Sequence, residues 1–267
     1  MNPRTPSLAR RTRRVHRYLG LFIGLQFLLW TAGGLYFSWT DLAAVHGDHL
    51  VRAPAALSLS RAVVSPAVAL AAVAGREGGA DSVIGMDLAT VLGRAVYRVH
   101  YRAAGATGST ARRLMIDAET GVPRPPLSRD EAVALARAAY TGSAPVTQVA
   151  WLSADSVGPH HEFRGQLLPA WQVRFGDAEG ATAYVAADLG QVVRIRNNRW
   201  RWFDTLWMLH TMDYQGRDNF NNALLRTFSV LGLATVLSGF VLFGATSSAR
   251  RRRGAAKLTE GSARGIP

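Results

Sequence analysis

Histidine is the side chain in this sequence best suited to hold a redox cofactor, because there is no cysteine to supply a thiolate. Seven histidines are present. His16 sits at the mouth of an uncharged apolar run, with Gly20 and Gly24 one and two turns further along the same helical face. Stacked glycines give a haem the flat, close neighbour it needs beside an axial ligand. The same pair serves equally as a small-residue stripe for helix packing, with His16 merely interfacial. The C-terminal tail holds no histidine, so a bis-histidine haem at this end would need His16 of a second protomer.

His46 and His49 form a His-x-x-His pattern around Asp48. On a helix continuing past Trp39, their rings would share a face. His210 lies in the stretch Trp200–Tyr214, where Trp200, Phe203, Trp207, His210 and Tyr214 follow helical spacing. This reads as an amphipathic aromatic helix at the outer membrane interface. His46 or His49 together with His210 would then ligate haem b or a metal ion across the helix pair. The other reading is an aromatic anchor carrying polar histidines; no dedicated metal-ion site is assigned. His100, in a strand-like alternation, and His160-His161, beside Gly158-Pro159, read as solvated. The polar segment Met212–Asn222 would bind an anion through Arg217 or hold His210 in place, or else form a turn capped by Asn221 or Asn222.

Two uncharged runs must position these residues: Tyr18–Trp39 and Thr227–Ser248. At ~1.5 Å of rise per residue, about 22 helical residues match a hydrocarbon core of about 30 Å. Each run therefore predicts a transmembrane helix. The first is longer than the apolar core of a signal peptide, and Leu42-Ala43-Ala44 is a poor cleavage site. Arg4, Arg10, Arg11, Arg13, Arg14 and Arg17 precede it, and Arg250–Arg253 with Lys257 follow the second. Both termini are thus expected on the cytoplasmic side. The net charge of +13 is concentrated in these tails, so topology and anionic lipid account for it and nucleic acid is not an expected partner. Ser229, Gly232, Val236 and Gly239 make a small stripe on the second helix, complementary to Gly20 and Gly24. The helices are expected to pack closely or to form a homodimer.

Between the runs the chain alternates a helix-like stretch with strand-like ones, twice. In the first unit Ser60–Ala74 is helix-like, with the helix proper starting near Ser65 because of Pro66. Val83–Met86, Ala95–Tyr101 and Arg112–Ile116 read as strands, and Asp117-Ala118-Glu119-Thr120-Gly121 closes as a turn. In the second, Ser128 and Glu131 form a capping box, the helix runs to about Tyr140, and strands follow at Val146–Leu152, Ala170–Phe175, Ala181–Ala186 and Gln191–Ile195. Tyr97–Tyr101 aligns with Trp171–Phe175. Met115–Val122 aligns with Val185–Val192 after a one-residue adjustment.

The helix, the strands and the closing Asp-x-x-Thr-Gly turn resemble the PepSY domain. His16-Arg17-Tyr18-Leu19-Gly20-Leu21 is similar to the opening of PepSY-associated transmembrane proteins. The second unit departs from the pattern, with Asp188-Leu189-Gly190 where the family usually has Thr before Gly. The resemblance implies an α+β chain in which two transmembrane helices bracket a periplasmic, duplicated PepSY-like domain, a helix plus antiparallel sheet twice over. The implied divisions are 1–17 basic tail, 18–40 first membrane helix, 41–57 outer linker and 58–125 first repeat. They continue as 126–197 second repeat, 198–221 interfacial helix and turn, 222–246 second membrane helix and 247–267 basic tail.

Relatives of this kind include haem b proteins of iron uptake and siderophore reduction, and others whose PepSY unit binds or inhibits peptidases. The larger reductases carry more than two membrane helices, and this chain departs from them there. Two functions follow as expectations. One is a haem-linked electron-transfer or reductase component of the inner membrane, acting on a periplasmic acceptor such as a ferric chelate. The other is a non-enzymatic module that binds, senses or restrains a periplasmic protein. No nucleophile elbow, phosphate loop, zinc-protease motif or paired-carboxylate arrangement appears, so hydrolysis has no support.

Overall fold

Residues 8–58, 62–76, 80–104 and 111–263 are described by the computed structural model. Arg4 of the basic N-terminal stretch, and Ser60 at the expected opening of the first helix-like segment, lie outside them. The fold divides into two units, one made of the residues up to Trp39 together with those from Thr205 onward, the other of Thr40–Asp204.

The first unit is helical. Its α1 covers Leu8–Trp39. The end of α5, Asn198–Thr211, follows, and α6 covers Ala223–Ala263. The basic stretches predicted as separate tails are continuous with the apolar helices, because Arg, Lys, Leu and Ala are good helix formers and no proline interrupts them. Arg11–Trp39, 29 residues, and Ala223–Gly244, 22 residues, are long and apolar enough to cross a membrane.

The helices α1 and α6 run antiparallel. The Phe27 ring lies against Gly232, where a Cβ would come within 2.8 Å of it, and Phe22 meets Phe228 at 5.4 Å between centroids. Gly20 and Gly24 have nothing within 4 Å of their Cβ positions. The expected glycine-to-glycine complementarity is therefore replaced by Phe27 of α1 seated on Gly232 of α6 and by the Phe22–Phe228 contact.

The second unit is α+β. It begins with α2, Leu42–His46, and a 3-10 turn at Asp48–Leu50. Next come α3, Pro66–Ala74, and the strands β1, Ala80–Val91, β2, Arg94–Ala103, β3, Arg112–Asp117, and β4, Pro123–Arg124. The order then recurs with α4, Arg129–Ala139, followed by β5, Val146–Leu152, and β6, Ala170–Phe175. It closes with β7, Thr182–Ala186, and β8, Gln191–Arg196. Each set of four strands forms its own antiparallel meander, β1-β2-β3-β4 and β5-β6-β7-β8.

The two halves match in detail. Tyr97 pairs with Ile116 as Trp171 pairs with Val185, which places Gly121 and Gly190 at equivalent positions. Both have positive φ, 75° and 57°, as a left-handed turn requires. Gly121 N–H donates to Asp117 O at 2.8 Å, and Gly190 N–H to Ala186 O at 3.0 Å. The chain entering each helix is pinned alike, Val64 N–H to Ala118 O at 2.8 Å and Leu127 N–H to Ala187 O at 2.9 Å.

Helix positions follow from their caps. The Ser65 hydroxyl accepts from Ala67 N–H with Pro66 at the first helical position, and Ser128 with Glu131 makes the predicted capping box. Alternation along β2 sends Ala95, Tyr97, Val99 and Tyr101 onto α3. On its other face Val96, with Val91 and Met115, joins a cluster that includes Ala132 and Ala136 of α4 and Val173 of the second sheet. The two repeats thus share a core.

Candidate functional site

The predicted ligands fall in separate places. His16 Nδ1 lies 2.7 Å from Ser238 Oγ, and that hydroxyl donates to Thr235 O at 2.7 Å. With its proton so committed, Ser238 accepts from the imidazole, which places the ring proton on Nδ1. The small residue beside the ring is Gly239, whose Cβ position is 3.4 Å from His16 Cε1, rather than Gly20 or Gly24.

His210 occupies the last turn of α5. Its ring stacks on Trp207 at 6.4 Å, and lies 5.9 Å from Trp30 and 5.7 Å from Phe37. Gly33 leaves space for it, its Cβ position falling 3.8 Å from His210 Nδ1. That nitrogen and Trp30 Nε1 are buried without a hydrogen-bond partner, an arrangement that carries a desolvation cost. Gly33 is on the order of 25 Å from His16 along α1, so the two imidazoles of one chain do not reach a common iron. An iron would bind at the nitrogen edge in the plane of the ring, and at Nδ1 the Gly33 backbone closes that space. As arranged, His210 Nδ1 does not fit a haem.

The histidines of the linker do not share a helix face. α1 stops at Trp39, and α2 stops at His46 because Gly47 turns left-handed at φ 79°. His49 then sits in the 3-10 turn, with Nε2 2.9 Å from the Glu179 carboxylate. His46 is exposed. Among the described residues no group of three or more His, Asp or Glu side chains converges to hold a metal ion. His161, read as solvated, is half-buried, accepts Phe163 N–H at 3.0 Å and packs edge-on against Tyr184.

The segment after α5 takes the structural form of its two readings. Met212 has φ 53°, ending the helix before Tyr214. The buried Asp213 carboxylate accepts N–H bonds from Gly216, Asn219 and Gln215. Those bonds, Gly216 and Asn219 foremost, hold its pKa below the ordinary carboxylate value. Asn222 caps α6, accepting from Leu225 N–H at 2.8 Å.

A cavity away from the histidines singled out as ligands lies in the α+β unit. It has a volume of about 530 Å³ and opens at the seam of the repeats, bounded by Val51–Ala55, the β1–β2 turn, Ala138 and Ala139 of α4, and the start of β8. It is of the size small ligands use. Arg98 lines it with a side chain 14% exposed. One of its terminal nitrogens donates to Gly190 O at 3.1 Å, another lies 3.5 Å from Asp87, and Nε is buried without a partner. Burial lowers the Arg98 pKa, against the opposing pull of Asp87. Thr90 Oγ1, on the same wall, is also buried and unpartnered. At the turn, Leu92 and Gly93 both have positive φ, 49° and 78°, a strained conformation for leucine.

In the sequence Arg98 is one polar position of an alternating strand, and the Leu92-Gly93 turn lacks the Asn-Gly or Asp-Gly signature of a tight hairpin. The one available signal was a charge in a strand that the second repeat would have to cover. No family model, curated protein or solved structure matches the chain.

Proposed function

We propose that the protein is a membrane-anchored binding module of the bacterial inner membrane, non-enzymatic, whose periplasmic unit is a duplicated PepSY-like domain. On this reading α1 and α6 cross the bilayer with both termini cytoplasmic, and an envelope protein or peptide occupies the seam between the repeats. The observation that carries it is the 530 Å³ seam cavity, walled largely by apolar side chains with the Arg98 guanidinium among them. A mostly apolar pocket with a few placed polar groups is the usual form of a ligand site. Membrane insertion is supported by apolar side chains that point outward from the helix pair: Leu21 is 77% exposed, Phe240 70% and Phe243 72%. The open Gly20 and Gly24 face offers a second copy a close approach.

A photo-cross-linking amino acid at Leu92, in the wall of the cavity, tests this in living cells. A discrete adduct from Leu92, absent when the same group replaces the exposed Asp155, supports the module. Equal labelling from both positions, or none from Leu92, refutes it.

The unpartnered Nδ1 of His210 favours a second reading, a haem-linked electron-transfer component serving an acceptor such as a ferric chelate. It requires the Gly33 backbone to draw back from Nδ1 and a second axial ligand to come from elsewhere. Protein purified from haem-replete cells would then show a Soret band that His210→Ala removes; a colourless preparation ends that reading.

A further inference from the structure

The seam cavity continues along an unpaired strand edge. β8 is the last strand of its sheet, and among the described residues no strand pairs with its outer side. A second cavity of about 420 Å³, bounded by His46, Asp48, Val51, Ala53 and Val192–Ile195, adjoins the first and shares Val51, Ala53 and Val192 with it. Together they flank the outer edge of β8 from Gln191 to Ile195. Close cover begins only at the far end, where a Cβ at Gly47 would come within 2.7 Å of Ile195 O, and Asn197 donates to Ala44 O at 2.9 Å.

An unpaired edge beside an apolar groove is the geometry in which an extended peptide adds a strand to a sheet. Charge decides its direction. The Arg98 guanidinium stands at the Gln191 end, lining the cavity with one terminal nitrogen hydrogen-bonded to Gly190 O. An antiparallel peptide would bring its C-terminus there, whereas a parallel one would bring its ammonium group against a buried cation. Asp87, at 3.5 Å and 55% exposed, offsets part of this charge.

We propose that the seam binds the free C-terminus of an extended, apolar polypeptide, which pairs antiparallel with β8 and places its terminal carboxylate on Arg98. This rests on the binding-module reading and names the chemistry of its ligand. The carboxylate would gain charge-assisted hydrogen bonds in a site already desolvated. Alternate side chains of the peptide would fall into the groove lined by Leu92, Leu135 and Val192.

The test uses the full chain in detergent micelles and a pool of fluorescein-labelled hexapeptides with Ala, Val, Leu or Ile at their last four positions. Fluorescence anisotropy is read for the free acids, for the C-terminal amides, and for acids N-methylated at alternate residues. The acids should bind, with amidation and N-methylation each weakening binding by about tenfold or more. Arg98→Gln should bring acid and amide to equal affinity, and amide binding by the same variant reports that it is folded.

Equal binding of acid and amide, indifference to N-methylation, or an acid preference that survives Arg98→Gln overturns the proposal, as does the absence of binding to any pool. Displacement of the acids by octanoate as strongly as by unlabelled peptide assigns the cavity to aliphatic acids and also overturns it. A Leu92 cross-link that persists while every peptide fails would leave the module standing and remove only this ligand.

Discussion

Replacing Asp117 by alanine should selectively weaken the first repeat. Its carboxylate is 5% exposed and accepts from Glu119 N–H at 3.0 Å, Thr120 N–H at 3.1 Å and the Thr120 hydroxyl at 3.2 Å. Arg94 reaches its second oxygen at 2.9 Å. The hydroxyl can rotate to another acceptor, and the Arg94 side chain, 58% exposed, turns to water at a cost of no more than about 1 kcal/mol. The two backbone N–H groups cannot move without opening the turn. At ~1–3 kcal/mol for each unsatisfied donor, Asp117→Ala should cost about 3 kcal/mol. Asp117→Asn keeps a carbonyl oxygen for both N–H groups and should cost about 1 kcal/mol.

Hydrogen exchange with mass spectrometry on the full chain in micelles reads the opening free energy of β2 and β3 separately from the rest. The Ala118 amide, bonded to Ala95 O at 2.9 Å, is the local reporter. Peptides around Gly190 are the internal control, because the equivalent turn closes on Ala186 with no carboxylate. If Asp117→Ala lowers protection by less than about 1 kcal/mol, or Asp117→Asn costs as much, hydrogen bonding by this carboxylate does not hold the turn.

Two other outcomes follow from the same packing. Burial pushes the Asp117 pKa up, but the Thr120 and Glu119 N–H groups, the Thr120 hydroxyl and Arg94 together hold it low, as the Ser128 N–H, with Arg124, holds that of Glu131. Groups depressed in the folded state stabilise it above the ordinary carboxylate pKa and lose that contribution as pH falls through the depressed values. The urea midpoint should therefore be level from about pH 7 to 5 and fall below about pH 4. Asp117→Asn with Glu131→Gln should flatten that slope; an unchanged acid limb would assign it elsewhere. In the helical unit, Gly232→Leu drives its side chain into Phe27 and should cost about 1–3 kcal/mol in a denaturing-detergent titration, whereas Gly20→Leu, with open space around it, should leave the helix pair intact. Equal effects would contradict this packing.

Much of the architecture was legible in the sequence because strand alternation and caps are local. Ser128 with Glu131, and Tyr97–Tyr101 beside Trp171–Phe175, located the repeat. The one-residue adjustment left open in the sequence is resolved by the pairing of Ile116 and Val185, which makes Gly121 and Gly190 equivalent. The histidines were more misleading. Spacing suggested that His46 and His49 share a helix face, but one left-handed glycine, Gly47, separates them. It also paired His16 with Gly20 and Gly24, whereas its partners, Ser238 and Gly239, lie more than two hundred residues away. The seam cavity was invisible for the same reason: Arg98, Val51 and Val192 meet only when two repeats fold against each other.

The side of the membrane on which the α+β unit is proposed to lie can be measured directly, since the chain has no cysteine of its own. Single cysteines in place of the exposed Asp155 and Arg13 would be exposed to a membrane-impermeant maleimide in intact spheroplasts. Labelling at position 155 before lysis, and at position 13 only after it, is the predicted result. Labelling at 13 in intact spheroplasts with 155 protected would contradict the proposed topology and, with it, access of a periplasmic ligand to the seam.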